Sequence, residues 1–205
     1  LKMHSISAVE LLAREAGALA LSHFKALGSV PVESKGHLDL VTAADQDVER
    51  FLTEGLVKIF PNDGIFGEEG AAHQGNSGRT WVIDPIDGTF NFVRGGDQWA
   101  ISIGLYESAQ PIFGAIFVPL REQLLVGGVG LQSTLNGELI AQRSGLDTSR
   151  ASCGVGFHPI IPVDLRLETL RFVIQDAGMS FRCCGSATLS LIEVGLGQVD
   201  GYLGI

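Results

Sequence analysis

Two carboxylates stand three residues apart within residues 81–89, directly after a short apolar run. Asp84 and Asp87 repel each other at that spacing, and neither is easily moved out of water alone, so a cation is their natural partner. Mg²⁺ prefers hard oxygen ligands and is a common choice where the substrate is a phosphate. Gly88 and Thr89 follow where a helix would begin, and the backbone amides of a helix start hold anions. The segment therefore predicts a metal site beside a phosphate site.

Further polar groups lie in three other segments. Glu68 and Glu69 end a short apolar run upstream, and Asp45 lies upstream again. Downstream, Ser186 and Ala187 stand in a Gly-Ser-Ala-Thr turn. Each of these segments is a weak signal by itself, and their order along the chain gives them their weight.

The strings Asp-Pro-Ile-Asp-Gly-Thr and Gly-Glu-Glu, in this order and at this distance, resemble the inositol monophosphatase family of Mg²⁺-dependent, lithium-sensitive phosphatases. The resemblance runs from the first predicted helix to the last residue. It implies a hydrolase, namely a phosphomonoesterase that attacks inositol 1-phosphate or a similar small phosphorylated alcohol with a metal-activated water. It also implies two or three Mg²⁺ ions per site and a homodimer. The implied fold is α+β, a layered α-β-α-β(-α) sandwich of the inositol monophosphatase and sugar phosphatase type.

The resemblance also assigns roles to individual residues. In the family scheme a threonine hydroxyl, held by an upstream aspartate, orients the attacking water. The predicted metal ligands are the side chains of Glu68, Asp84 and Asp87 and the carbonyl of Ile86. The predicted catalytic residues are Glu68, Thr89 and Asp45. The predicted substrate-binding residues are Asp87, Gly88, Thr89, Ser186 and Ala187.

Simpler interpretations stand beside these roles. Asp-Pro and Asp-Gly both favour turns, so Asp84 and Asp87 alternatively only cap the following helix. Thr42 and Asp45 also fit a capping box. The Gly-Ser-Ala-Thr turn is alternatively an ordinary strand-to-helix connection. Lys35 is a weaker candidate, because the family places a lysine near its catalytic loop.

Two departures from the family pattern affect the substrate and the metal site. Inositol-specific members carry a glutamate that contacts substrate hydroxyls where this chain has Gly204. The family's later Trp-Asp motif, whose aspartate completes the second metal site, does not occur in these 205 residues, and we expect the native chain to continue past Ile205. Two alternatives follow. One is a histidinol-phosphate, sugar-bisphosphate or nucleotide 3′-phosphatase of the same family, and the other is a non-enzymatic partner-binding protein with an incomplete metal site.

The composition excludes several classes of protein. The net charge is −9, from 23 acidic and 14 basic residues, and such a surface repels polyanions, so we expect no nucleic-acid partner. Three cysteines without regular spacing form no disulfide framework and indicate a reducing cytoplasm. No apolar run approaches the length of a membrane span, so we expect no membrane partner.

The hydrophobic pattern predicts the elements that position these groups. Apolar residues at helical spacing predict one helix that opens at Ser7 and a second that opens at Thr42 and is stopped by Pro61. These helices and the strands after them form a predicted N-terminal α+β half, residues 1–143, which carries the metal site. Alternating strands and helices follow in a C-terminal α/β half, residues 144–205. The predicted strands of the first half span residues 80–83, 99–106, 112–118 and 124–129, with a hairpin turn at Asn136 and Gly137.

Overall fold

The computed structural model describes residues 2–27, 36–141, 150–158 and 161–205, without the side chains of residues 36–42. The chain divides into two compact units, Leu1–Leu139 and Ile140–Ile205. The predicted boundary between residues 143 and 144 lies outside the described residues, and so does Lys35.

Two long helices open the first unit. α1 spans Met3–Leu27 and α2 spans Gly36–Ile59. Both begin before the predicted starts at Ser7 and Thr42, which are therefore wrong. No proline or glycine lies between residues 37 and 54, so nothing in that stretch stops a helix at Thr42. The buried faces carry apolar side chains at helical spacing: Ile6, Val9, Leu12, Ala13, Ala16 and Ala20 in α1, and Ala44, Val48, Leu52 and Leu56 in α2.

Eight strands of the first unit form one sheet in the order β2-β1-β3-β4-β5-β6-β7-β8. β1 and β3 run parallel, and the other described neighbours pair antiparallel. The predicted meander and the hairpin turn at Asn136 and Gly137 are confirmed. The bounds are β1 Gly64–Gly67, β2 Ala72–His73, β3 Arg79–Asp87, β4 Ala100–Glu107, β5 Gln110–Val118, β6 Gln123–Gly128, β7 Leu131–Leu135 and β8 Glu138–Leu139.

β3 runs further than the sequence predicts, to Asp87 rather than Ile83. Its pairing with β4 shifts register between Asp84 and Asp87. Pro85 has no N–H to donate to the ladder, and proline within a strand belongs at edges and bulges. The bulge therefore turns the chain out of the ladder at the two aspartates, just before the short helix α3, Thr89–Val93.

An aromatic cluster fixes α3 to the core of the first unit. Phe92 is fully buried, and its ring centroid lies 4.9 Å from that of Trp99 and 5.3 Å from that of Phe24 in α1. Both contacts are edge-on, an arrangement that adds about 0.5–1.5 kcal/mol to the burial of each pair. A helix of five residues is too short to be stable by itself, so the core holds the helix that follows the aspartates.

The second unit is a three-stranded parallel sheet with two helices. β9 lies between β10 and β11, and Cys153, Val155 and Val173 form a small core. The predicted alternation of strands and helices is confirmed, and a π-helical segment, Phe172–Asp176, continues α4. In the described part of the chain, no helix is both long and apolar enough to cross a membrane. The bounds are β9 Ser152–Gly156, α4 Val163–Arg171, β10 Ser180–Arg182, α5 Ala187–Gly195 and β11 Gly201–Gly204.

Candidate active site

The parallel pairing of β1 and β3 brings Glu68 beside Asp84. Gly67, the last residue of β1, pairs with Ile83 of β3. The N–H of Glu68 donates to the Ile83 carbonyl at 3.2 Å, which extends the ladder by one step. Since strands in a parallel ladder advance together, the residues that follow the last pair, Glu68 and Asp84, meet at the same edge of the sheet.

The carboxyl groups of Glu68 and Asp84 interact where the two strands end. Burial is the main cause that raises the pKa of Asp84 to about 9, and the negative charges of Glu68 and Asp87 act in the same direction. The Ile86 N–H donates to Asp84 Oδ1 at 3.1 Å and acts in the opposite direction. Asp84 therefore lies where a nearby cation would be favoured.

The turn between the aspartates and α3 depends on Thr89 and Gly88. The Thr89 hydroxyl donates to the Ile86 carbonyl at 3.0 Å. A carbonyl has two lone pairs, so the predicted main-chain metal ligand keeps one of them. Gly88 has a φ of 98°, which glycine adopts without the strain that other residues meet. The link between the Thr89 hydroxyl and Asp45 stays a prediction.

Asp45 lies in the interior of α2, and its side chain is 3% exposed. Because α2 begins six residues before Thr42, the capping-box interpretation is wrong. The pKa of Asp45 is raised to about 7, first by burial and then by the charges of Glu69, Glu68 and Glu49. Asp45 therefore belongs to the same acidic cluster as Glu68.

Glu49, one helical turn after Asp45, is a residue that sequence reasoning missed. It is 4% exposed although it is charged. Its carboxylate accepts the backbone N–H groups of Glu69 and Ala71, each at 2.8 Å. Partial burial and then the charges of Glu68 and Glu49 raise the pKa of Glu69. The signal that could have revealed Glu49 is its spacing of four residues from Asp45, which puts both side chains on one helix face.

The donor chemistry of this cluster fits Mg²⁺. Glu68, Asp84 and Asp87 offer carboxylate oxygens and Ile86 offers a carbonyl oxygen, which are ligands that Mg²⁺ prefers. Glu68 is exposed and the two aspartates are half-buried, so an ion can enter from solvent. Within the described ranges, no three His, Cys, Asp or Glu side chains are grouped so that they could hold a metal ion together. The predicted ligand set therefore stays a prediction.

Ser186 and Ala187 lie in the second unit. Ser186 is the N-cap of α5, and its Oγ accepts the Leu189 N–H at 3.2 Å. This geometry is that of an ordinary strand-to-helix connection, and the predicted substrate contacts of both residues stay predictions. In the same unit a Cβ added at Gly204 would come within 2.9 Å of the Tyr202 ring. A larger side chain at position 204 would therefore require Tyr202 to move.

Comparisons with known proteins agree on one family. The model described as the inositol monophosphatase family matches residues 3–205. A protein from Xylella fastidiosa named Nus factor SuhB is 34% identical over 192 residues, which are 93% of this chain and 69% of that protein. A protein from Aquifex aeolicus named fructose-1,6-bisphosphatase/inositol-1-monophosphatase is 30% identical over 200 residues, which are 97% of this chain and 75% of that protein.

A solved structure gives the same result for the fold. The crystal structure of inositol monophosphatase-II from Staphylococcus aureus matches 98% of this chain and 75% of its own chain, with a TM-score of 0.79 at 28% identity. The predicted α+β fold type is therefore confirmed.

Proposed function

Because the chain belongs to the inositol monophosphatase family, we propose that it is a Mg²⁺-dependent phosphomonoesterase that acts on a small phosphorylated alcohol. The observation that carries the proposal is the acidic cluster at the end of two parallel strands, where Glu68 and Asp84 meet and Asp87 follows across a bulge. Carboxylates gathered in this way repel one another, and a divalent cation bound among them would relieve that repulsion. The cluster is therefore better explained by ion binding than by stability.

Three acids of the cluster have a part in holding the ions. Glu68, Asp84 and Asp87 would hold Mg²⁺ through carboxylate oxygens, and Ile86 through its remaining carbonyl lone pair, with two or three ions per site. The chemistry that Mg²⁺ supplies in such a site is a lower pKa for the attacking water and neutralisation of charge on the transferred phosphoryl group.

Thr89 and Asp45 position the attacking water. The Thr89 hydroxyl donates its single proton to the Ile86 carbonyl, so its oxygen can accept a hydrogen bond from water. Asp45, a buried carboxyl group within the electrostatic reach of Glu68, accepts the other hydrogen of that water. Phosphoryl transfer depends on positioning and charge stabilisation rather than on a protein nucleophile, so these two groups suffice.

The substrate lies against the turn after Asp87. The backbone amides of Gly88 and Thr89 hold phosphate oxygens. Contacts of Ser186 and Ala187 with the alcohol are proposed on the family resemblance alone. Gly204, with the Tyr202 ring against it, offers no carboxylate to inositol hydroxyls. Since the Aquifex aeolicus relative is named for both fructose 1,6-bisphosphate and inositol 1-phosphate, we propose a range of small phosphate esters rather than one.

A second candidate function is the binding of a protein partner. It is favoured by the 34% identity to a protein named Nus factor SuhB. The family resemblance further supports a homodimer, and the cysteine content supports a cytoplasmic location. Both belong to the proposal for either function. The two candidates differ in whether the acidic cluster turns over a phosphate ester.

The test is phosphate release from inositol 1-phosphate, fructose 1,6-bisphosphate, histidinol phosphate and a nucleotide 3′-phosphate. We expect release from at least one ester with Mg²⁺, none with EDTA, and inhibition by Li⁺. Asp87→Asn is the matched variant, because it removes one carboxylate charge at nearly constant volume. Equal rates in this variant and the native protein would contradict the proposal.

Mg²⁺ binding is measured separately by thermal unfolding. At 100 times its dissociation constant, a ligand of the folded state adds about 2.7 kcal/mol to the free energy of unfolding. For a chain of this size that raises the melting temperature by about 5–10 °C. A shift without hydrolysis of any ester would favour the partner-binding candidate.

A further inference from the structure

The turn that carries Glu68 is held from α2 by the side chain of Glu49. Glu49 Oε2 accepts the Glu69 N–H and Oε1 accepts the Ala71 N–H, each at 2.8 Å. The N–H of Gly67 donates to the Ala71 carbonyl at 2.7 Å and closes the turn. Both oxygens of a buried carboxylate thus accept backbone N–H groups of one turn, those of Glu69 and Ala71.

Gly67 leaves the space that this carboxylate occupies. A Cβ added at Gly67 would overlap the Glu49 carboxylate. The strand residue before Glu68 must therefore be glycine for Glu49 to reach the two amides. The neighbouring Gly70 has a φ of 109°, so the turn itself also requires glycine.

We propose that Glu49 is a positioning residue whose carboxylate fixes the turn of residues 67–71, so that Glu68 stands opposite Asp84 ready to bind Mg²⁺. Glu68 is then held from two sides. Its own N–H is bonded to Ile83 of β3, and the next N–H in the chain is bonded to Glu49 of α2. The metal-binding part of this inference rests on the proposed function, and the part concerning the turn does not.

The position of α2 is itself fixed by the core. Val48 and Leu52, which flank Glu49 on the buried side of the helix, are fully buried. Asp45 lies one turn earlier on the same face. One rigid helix therefore sets the place of Asp45 directly and the place of Glu68 through the Glu49 hydrogen bonds.

The chemistry of this contact requires a carboxylate rather than an amide. An ionised carboxylate only accepts hydrogen bonds, and here each oxygen faces one N–H group. A glutamine at this position would satisfy one N–H and turn its own NH₂ group toward the other. An unpaired buried donor is costly, so the turn would move away from the helix.

The experiment compares Glu49→Gln with Asp63→Asn. Asp63 is also buried, at 1% exposure, and it accepts hydrogen bonds from Arg79 and Trp81 at the other end of β1. The control thus loses a buried carboxylate of the same unit away from the turn. Amide hydrogen exchange is measured at Glu69 and Ala71, and Mg²⁺ affinity by calorimetry.

We expect Glu49→Gln to speed exchange at Glu69 and Ala71 at least tenfold and to weaken Mg²⁺ binding by roughly 10–100-fold, the usual range for a partner one shell from a metal. The Mg²⁺ concentration for half-maximal turnover rises by the same factor. Asp63→Asn leaves both exchange rates and the Mg²⁺ affinity unchanged, whatever its melting temperature.

A second variant guards against a Glu49→Gln protein that does not fold. Gly67→Ala keeps the buried charge but displaces the carboxylate, and it should change exchange and affinity in the same direction. Native exchange and native affinity in either folded variant would overturn the inference. If the native protein binds no Mg²⁺, the proposed function fails, while unchanged exchange at the two amides would still refute the role of Glu49 in the turn.

Discussion

Acidic side chains lie at both ends of the β1 and β3 pair, a buried one at one end and a half-buried one at the other, and they meet opposite partners. Asp63, directly before β1, accepts hydrogen bonds from Arg79 at 2.9 Å and from Trp81 at 3.1 Å. At the other end, about 16 Å along the strand, Asp84 faces the carboxyl group of Glu68. At the Asp63 end a carboxylate meets a guanidinium group and an indole N–H, whereas at the Asp84 end two carboxyl groups face each other.

The difference separates stability from function within one pair of strands. Asp63 is compensated by the protein itself, so its charge contributes to the folded state. Asp84 accepts the Ile86 N–H but lies beside the negative charges of Glu68 and Asp87, and its burial raises its pKa to about 9. A site that the chain leaves acidic is one that an external cation can complete.

The largest expected effect comes from substituting Asp84, at the end of the strand pair where two carboxyl groups face each other. We expect Asp84→Asn to lower turnover by more than about 100-fold, since even partners one shell out from a metal are worth 10–100-fold. Its melting temperature without metal should not fall, because an amide can still accept the Ile86 N–H and no longer places a negative charge beside Glu68. Steady-state kinetics and thermal unfolding without metal measure the two effects.

The two measurements together decide whether Asp84 serves the site or the stability of the fold. A variant that loses activity and unfolds several degrees earlier would show that Asp84 is a structural acid like Asp63. A variant that keeps most of its turnover would remove Asp84 from the site.

The part of the site that is contiguous in the chain could be predicted from the sequence. Residues 84–89 lie together in the chain, so their types and spacing predict a turn and a helix start without knowledge of the fold, whereas the bulge at the two aspartates was not predicted. The apolar periods of the helices and the meander were equally local signals. The ends of the helices were harder to predict, because α2 continues back to Gly36 through residues that neither favour nor forbid a helix start.

The parts that sequence could not supply depend on contacts between distant elements. Glu68 meets Asp84 because β1 pairs parallel with β3, a choice made by the packing of the whole sheet. Glu49 reaches an amide 20 positions further along the chain, and its charge on a helix face gives no sign of that partner. Asp63 likewise finds Arg79 and Trp81 only once β1 and β3 are side by side.

The second-largest expected effect comes from substituting Asp63, at the end of the strand pair where the carboxylate is paired with Arg79 and Trp81. Asp63→Ala leaves the buried Trp81 Nε1 without its acceptor, while the partly exposed Arg79 can turn to water. We expect a loss of about 2 kcal/mol in the free energy of unfolding, the usual cost of an unsatisfied buried donor. Turnover per folded molecule should stay at the native value. Urea denaturation and an activity assay on the same sample test this, and a change in Mg²⁺ dependence would show that the two ends are not independent.

The smallest effect distinguishes a glycine in the site from a glycine in a plain turn. Gly88 and Gly137 have φ values of 98° and 83°, so an alanine at either position costs about 1 kcal/mol of stability. Gly137 lies in the hairpin between β7 and β8, far along the sheet from β3. We expect Gly137→Ala to lose only that stability, and Gly88→Ala to lose in addition about tenfold in turnover, because a small displacement of the backbone at Gly88 moves the amides offered to the phosphate. Equal turnover in the two variants, at equal melting temperatures, would mean that the turn after Asp87 shapes the chain but does not hold the substrate.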